Sequence, residues 1–207
     1  MLKAILISTF LLGTNLFAVE LFDAVVAETN GEKQKAKELY GIVCDNGNMK
    51  GCYYLGLMYY EGNGIKQDKE KTKELYTKAC NGGKEDVCFD LGLMYSNGDG
   101  IKQDKQKAKE FFIKSCDGGE PSACYNAGLI YYNGKGTKQN NQKAREFYAK
   151  ACDGGYFDAC YNLGYLYSNG EGVRQDKSKA KELYGITCDN GNETGCSIYR
   201  TLNEEGY

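Results

Sequence analysis

Ten cysteines stand at positions 44, 52, 80, 88, 116, 124, 152, 160, 188 and 196, with spacings that alternate eight and twenty-eight. The chain therefore repeats with a strict period of 36, and self-similarity of that length is the mark of a repeat architecture. Other residues keep the same register. Asp68, Asp104, Asn140 and Asp176 recur once per period, as do Gly56, Gly92, Gly128 and Gly164, and Tyr59, Tyr95, Tyr131 and Tyr167. The repeats run 33–68, 69–104, 105–140, 141–176 and a shortened 177–196. A leader, 19–32, precedes them, and 197–207 forms a C-terminal cap.

Within one period the pattern reads as two helices. Asn140 suits an N-cap, because its side chain accepts from unpaired amides of the first turn. Gln142 to Cys152 then places Ala144, Tyr148, Ala151 and Cys152 on one face and charge on the other. Gly154 and Gly155 end that helix, since glycine enters the left-handed region cheaply. A second helix from about Asp158 to Asn169 carries Ala159, Leu163, Gly164 and Tyr167, and Gly170 and Gly172 close it. Pro121 falls at the start of the corresponding helix in the third repeat, where its missing N–H does no harm. A helical pair this small cannot bury its apolar face alone, whereas stacked copies can. The fold class is all-α, an α/α-hairpin repeat solenoid.

The cysteines follow from this geometry. Eight residues of one helix span about 12 Å, beyond the roughly 7 Å that a disulfide allows between α-carbons. The Gly-Gly or Asn-Gly between them turns the chain back, so the spacing predicts one clip per hairpin: Cys44–Cys52, Cys80–Cys88, Cys116–Cys124, Cys152–Cys160 and Cys188–Cys196. Pairing between repeats, such as Cys52 with Cys80, leaves the last repeat without a partner. Zinc prefers closer spacings and often histidine, and the even count favours disulfides over a metal. No metal and no cofactor is expected. Redox catalysis is also disfavoured, because no pair has the Cys-x-x-Cys spacing.

The first 18 residues read as a secretory signal: Lys3, an apolar run from Ala4 to Leu12, then Leu16-Phe17-Ala18 with cleavage after Ala18. The expected location is secreted or periplasmic, with no membrane association after cleavage. The net charge is −2, and loss of Lys3 makes it −3. That balance argues against nucleic acid as a partner, which needs a basic face. The chain has no histidine, so neither a Ser-His-Asp nor a Cys-His system can be built.

Residues 159–176, Ala-Cys-Tyr-Asn-Leu-Gly-Tyr-Leu-Tyr-Ser-Asn-Gly-Glu-Gly-Val-Arg-Gln-Asp, with Lys-Ala-Lys-Glu-Leu-Tyr at 179–184, resemble the Sel1-like repeat. The likeness covers nearly all of 33–196. It implies hairpins related to tetratricopeptide repeats, wound in a right-handed superhelix. The regular cysteine pair is similar to that of the cysteine-rich secreted branch, with Helicobacter and Campylobacter relatives. That resemblance implies binding and slow hydrolysis of β-lactams; Sel1-like proteins more generally imply an interaction scaffold. The sequence holds one Ser-x-x-Lys, Ser178 and Lys181, but no Ser-Asp-Asn or Lys-Thr-Gly to complete a serine β-lactamase. For a scaffold, Tyr54, Asp90, Asn126 and Asn162 share one repeat position and are candidate ligand contacts, because asparagine both donates and accepts. The same side chains also suit internal hydrogen bonds. The expected partners are a peptide, a glycan, a β-lactam-like molecule or a host protein, bound by a monomer.

Overall fold

A computed structural model describes residues 21–207, so the signal sequence read at 1–18 lies outside the described residues. Residues 21–29 are helical and lead into ten helices. These are α1 Lys33–Asp45, α2 Met49–Glu61, α3 Lys69–Asn81, α4 Glu85–Asn97 and α5 Lys105–Asp117. They continue with α6 Pro121–Asn133, α7 Asn141–Asp153, α8 Phe157–Asn169, α9 Lys177–Asp189 and α10 Glu193–Glu204. Among the described residues there is no strand. The chain forms two compact units, one reaching Met94 with Gly98–Lys102, the other Tyr95–Asn97 with Gln103–Tyr207.

Each repeat is two helices of 13 residues, the last helix having 12, and the recurring residues explain why they start and stop where they do. The side chains of Asp68, Asp104, Asn140 and Asp176 accept from Lys71, Lys107, Lys143 and Lys179 N–H. Each satisfies one of the donors a helix start leaves open. Their own N–H groups donate to the carbonyls of Tyr59, Tyr95, Tyr131 and Tyr167. One residue thus closes the loop behind it and caps the helix ahead of it. Gly62, Gly98, Gly134 and Gly170 end the second helices with φ between 67° and 72°, a conformation that favours glycine.

The hairpin within a repeat is held at two adjacent positions. All five cysteine pairs are disulfides with α-carbons 4.4–5.0 Å apart. One residue before each, a small residue faces the partner helix. A β-carbon at Gly51 would lie 2.6 Å from Val43 Cγ1, and one at Gly195 would clash with Thr187 Oγ1. The same register holds Val87 with Ala79, Ala123 with Ser115 and Ala159 with Ala151, all fully buried. Bulk on one helix is matched by its lack on the other, as close packing requires. Ser115 is the odd member, its hydroxyl buried without a hydrogen-bond partner. Ser115→Ala, which restores the alanine found at 79 and 151, is expected to raise stability by roughly 1 kcal/mol. A urea titration with unchanged slope checks it.

Successive repeats meet through an aromatic ring laid on a glycine. Tyr40, Tyr76, Phe112, Tyr148 and Tyr184 are buried at one register. A β-carbon at Gly56 would be 2.7 Å from the Tyr76 ring, and one at Gly128 would be 2.6 Å from that of Tyr148. Gly56 and Gly128 are thus the seats of these rings.

Candidate functional site: a tyrosine- and asparagine-lined cleft

In the second unit, helices α6 and α8 flank a cleft of about 310 Å³. Leu129, Tyr132 and Asn133 line it from α6, Tyr148 from α7, and Tyr161, Asn162, Tyr165 and Leu166 from α8. The spacing is helical: 129, 132 and 133 form one face, and 161, 162, 165 and 166 form another. Tyr132 and Tyr165 meet edge to face at 6.5 Å between ring centroids, and Tyr165 is 40% exposed. The floor is different. Tyr148 is 1% exposed, and burial holds its hydroxyl well above the ordinary tyrosine range. Burial also raises the Tyr125 hydroxyl, while hydrogen bonding with Asn162 pulls it the other way. The cleft thus sets a buried, neutral phenol at its floor beside the amides of Asn133 and Asn162. Such a surface is apolar in its walls and able to donate and accept at its rim.

The four candidates at the shared repeat position fare differently. Asn162 lines this cleft. Asn126 lines a smaller one of about 160 Å³, with Ser96, Lys105, Phe112, Leu129, Ile130, Asn133 and Lys135. Its amide donates to the Ser122 carbonyl at 2.7 Å, within its own helix. Leu129 and Asn133 border both clefts. In the first unit, Tyr54 stacks on Tyr40 at 5.3 Å. Asp90 is half-buried, and burial pushes its carboxyl above the usual range, with Asp86 adding to the shift and Lys84 opposing it.

That shift has a sign. A carboxyl whose folded pKa is raised lowers stability above that pKa, and the loss fades as pH falls towards the ordinary carboxylate value. Asp90→Asn is expected to stabilise the protein at neutral pH, with the gain shrinking in acid as the parent's Asp90 carboxyl takes up its proton. Thermal melts of the two chains across that range test it.

Ser178 lies on the exposed first turn of α9. The Lys181 ammonium donates to the Tyr207 carbonyl and, at 3.4 Å, to Asn203 Oδ1. The lysine of the Ser-x-x-Lys spacing thus ties α9 to the end of the chain. Cleft residues Tyr132, Tyr161 and Tyr165 were not among the sequence candidates. Tyr161 follows the repeat, with Tyr53, Phe89 and Tyr125 in its register; the signal at the other two was departure from neighbouring repeats, since Ser96 and Ser168 stand in register with Tyr132, and Leu93 with Tyr165.

The Sel1 repeat model matches residues 50–84, 86–120, 121–156 and 157–192. The chain belongs to the Sel1 repeat family. Among solved structures it is similar to a protective antigen of uropathogenic Escherichia coli that displays an SLR fold, with 32% identity and a TM-score of 0.70. That match covers 78% of this chain and 34% of the antigen, so the chain spans about a third of that relative. A Sel1 repeat protein from Oxalobacter formigenes is similar at 25% identity and a TM-score of 0.69, over 86% of this chain and 75% of the other. Helicobacter pylori cysteine rich protein B shares 31% identity over 62% of this chain and 92% of its own, with a TM-score of 0.49. No curated protein matches the chain. Five disulfides in so small a protein suit an oxidising, extracytoplasmic environment. Among the described residues, no helix is long and apolar enough to cross a membrane.

Proposed function

We propose that this protein is an exported interaction module, secreted or periplasmic, that holds an extended peptide segment of a partner in the cleft between α6 and α8. The observation that carries the reading is the lining itself: four tyrosines and two asparagines around about 310 Å³. Tyrosine gives large contact area at small entropic cost, and asparagine amides match both groups of a peptide backbone. Membership of a helical-repeat family supports the same reading, since stacked repeats present extended binding surfaces. Export rests on the disulfides and on the signal read at 1–18.

Hydrolysis of β-lactams rests on the resemblance to the cysteine-rich branch, and Ser178 and Lys181 are its only candidates. The two readings part in one set of measurements. Random peptides displayed on phage are selected on the oxidised protein, and the winners are titrated calorimetrically. Tyr165→Ala is expected to weaken them about tenfold or more, the size of a buried-aromatic hot spot, and Asn162→Ala is expected to weaken them as well. Peptides that bind both variants as tightly as the parent overturn the cleft. A chromogenic cephalosporin is expected to turn over no faster than in buffer. Turnover abolished by Ser178→Ala favours the hydrolase instead.

A further inference from the structure

Each repeat opens its first helix on a residue that packs against a glycine in the loop closing that same repeat. β-Carbons at Gly64, Gly100 and Gly136 would meet Lys33, Lys69 and Lys105, whereas one at Gly172 would meet Asn141. Position 177 is again lysine. Asparagine therefore stands at one of five equivalent places, and the others show what a lysine does there.

In the first unit, Lys69 Nζ lies 4.8 Å from the centre of the Tyr60 ring and pairs with the Asp99 carboxylate. The Tyr60 hydroxyl donates to the same carboxylate at 2.5 Å. A ring and an acid thus hold an ammonium between them. In the last repeat, Lys177 lies 4.6 Å from the centre of the Tyr207 ring and 3.1 Å from Glu205. Lys105 instead donates to the backbone carbonyl of Ser96.

The second unit has the ring and the acid without the lysine. Tyr132 and Glu171 stand two repeats on from Tyr60 and Asp99, and Asn141 stands two repeats on from Lys69. Asn141 Nδ2 donates to Glu171 Oε2 at 3.1 Å, a contact that satisfies the oxygen but leaves the charge unbalanced. A second ring is added here, because Tyr165 replaces Leu93 of the first unit and stands edge-on to Tyr132. Both rings line the cleft. Two phenol faces beside a carboxylate attract a cation.

We propose that this end of the cleft takes an alkylammonium group from outside the chain, presented as a lysine side chain, in the place that Lys69 fills internally in the first unit. The inference names the side chain recognised by the peptide site described above and rests on that reading for its source. The carboxylate selects charge, the rings select an extended methylene stem, and the neighbouring amides hold the backbone on either side.

The test uses the full oxidised chain and four probes: N-acetyl-lysine methylamide, its norleucine counterpart, and the pentapeptides Ac-Ala-Ala-Lys-Ala-Ala-NH₂ and Ac-Ala-Ala-Nle-Ala-Ala-NH₂. Titration followed by NMR is expected to shift Tyr132, Tyr165 and Glu171 resonances with the lysine probes. Lysine is expected to bind about tenfold more tightly than norleucine in each pair. Glu171→Gln removes that preference. So does Asn141→Lys, which restores the repeat's own lysine and is expected to raise the Tm, so a folding defect does not cloud the result. Equal binding of lysine and norleucine overturns the proposal, as does lysine binding undiminished in Asn141→Lys. If the pentapeptides bind the cleft without a lysine preference, the peptide reading survives and this one falls. If the lysine amide binds with the stated preference but the pentapeptide gains nothing over it, the cation site holds and the peptide reading falls.

Discussion

Reduction of all five disulfides is expected to unfold the protein at neutral pH without denaturant. Each disulfide closes a short loop, its cysteines eight residues apart, for which chain entropy gives roughly 2.5 kcal/mol. Five such loops sum to about 12 kcal/mol, comparable with the entire stability of an ordinary domain. The core that remains is thin, because each hairpin adds only a short row of buried side chains, such as Tyr76, Ala79, Val87, Leu91 and Met94 in the second repeat. Helical circular dichroism should fall to a minor fraction on complete reduction and return on reoxidation. The order of loss is also set by structure. Cys188 and Cys196 are both partly exposed, whereas Cys44, Cys52, Cys80 and Cys88 are at most 1% exposed. The last disulfide should therefore be reduced first under limiting reductant, since attack requires access to sulfur. Replacing a single inner pair, Cys116→Ser with Cys124→Ser, is expected to cost about 2–4 kcal/mol. A fully reduced chain that keeps its helical signal contradicts the account.

How much of this was legible in the sequence differs from residue to residue. The cysteine period was sufficient for the hairpin, because disulfide geometry admits only one fold of a chain whose cysteines are eight apart around a glycine turn. The recurring Asp68-type residue was legible as a cap, since the Asn or Asp side chain at a helix start has one chemical use. Its second task, donating its N–H to the Tyr59-type carbonyl, was not, because backbone bonds leave no trace in side-chain identity. The shared position of Tyr54, Asp90, Asn126 and Asn162 was visible as a register, but register alone does not say what each side chain meets. Asn126 turns its amide to its own helix, Tyr54 stacks on Tyr40, and Asn162 borders the cleft. The cleft itself was the hardest to read. A repeat is read from what is constant, whereas the two rings that set this cleft apart, Tyr132 and Tyr165, break the pattern of neighbouring repeats.

Removing the ring between repeats should be the costliest single substitution in the second unit. Tyr148 is 1% exposed and lies against Gly128, where a β-carbon would come within 2.6 Å of the ring. Tyr148→Ala is expected to cost about 3–5 kcal/mol, the usual range for emptying a buried aromatic site. Gly128→Ala should also destabilise, by about 1–3 kcal/mol, although alanine is the better helix former by nearly 1 kcal/mol. Overpacking wins because so close an approach to a buried ring is relieved only by shifting the ring or the helix that carries it. Gly164 supplies the contrast. Its β-carbon would lie 3.3 Å from Tyr184, a gap that a small shift relieves, so Gly164→Ala should change stability by less than about 1 kcal/mol. The decisive measurement is the double mutant. With Tyr148→Ala already present, the added methyl at 128 enters space the ring has left, and Gly128→Ala should turn from destabilising to stabilising. A coupling of about 2 kcal/mol or more is expected from that reversal. Additive effects at 128 and 148 would mean that the glycine does not seat the ring, and that the recurrence of both residues has another cause.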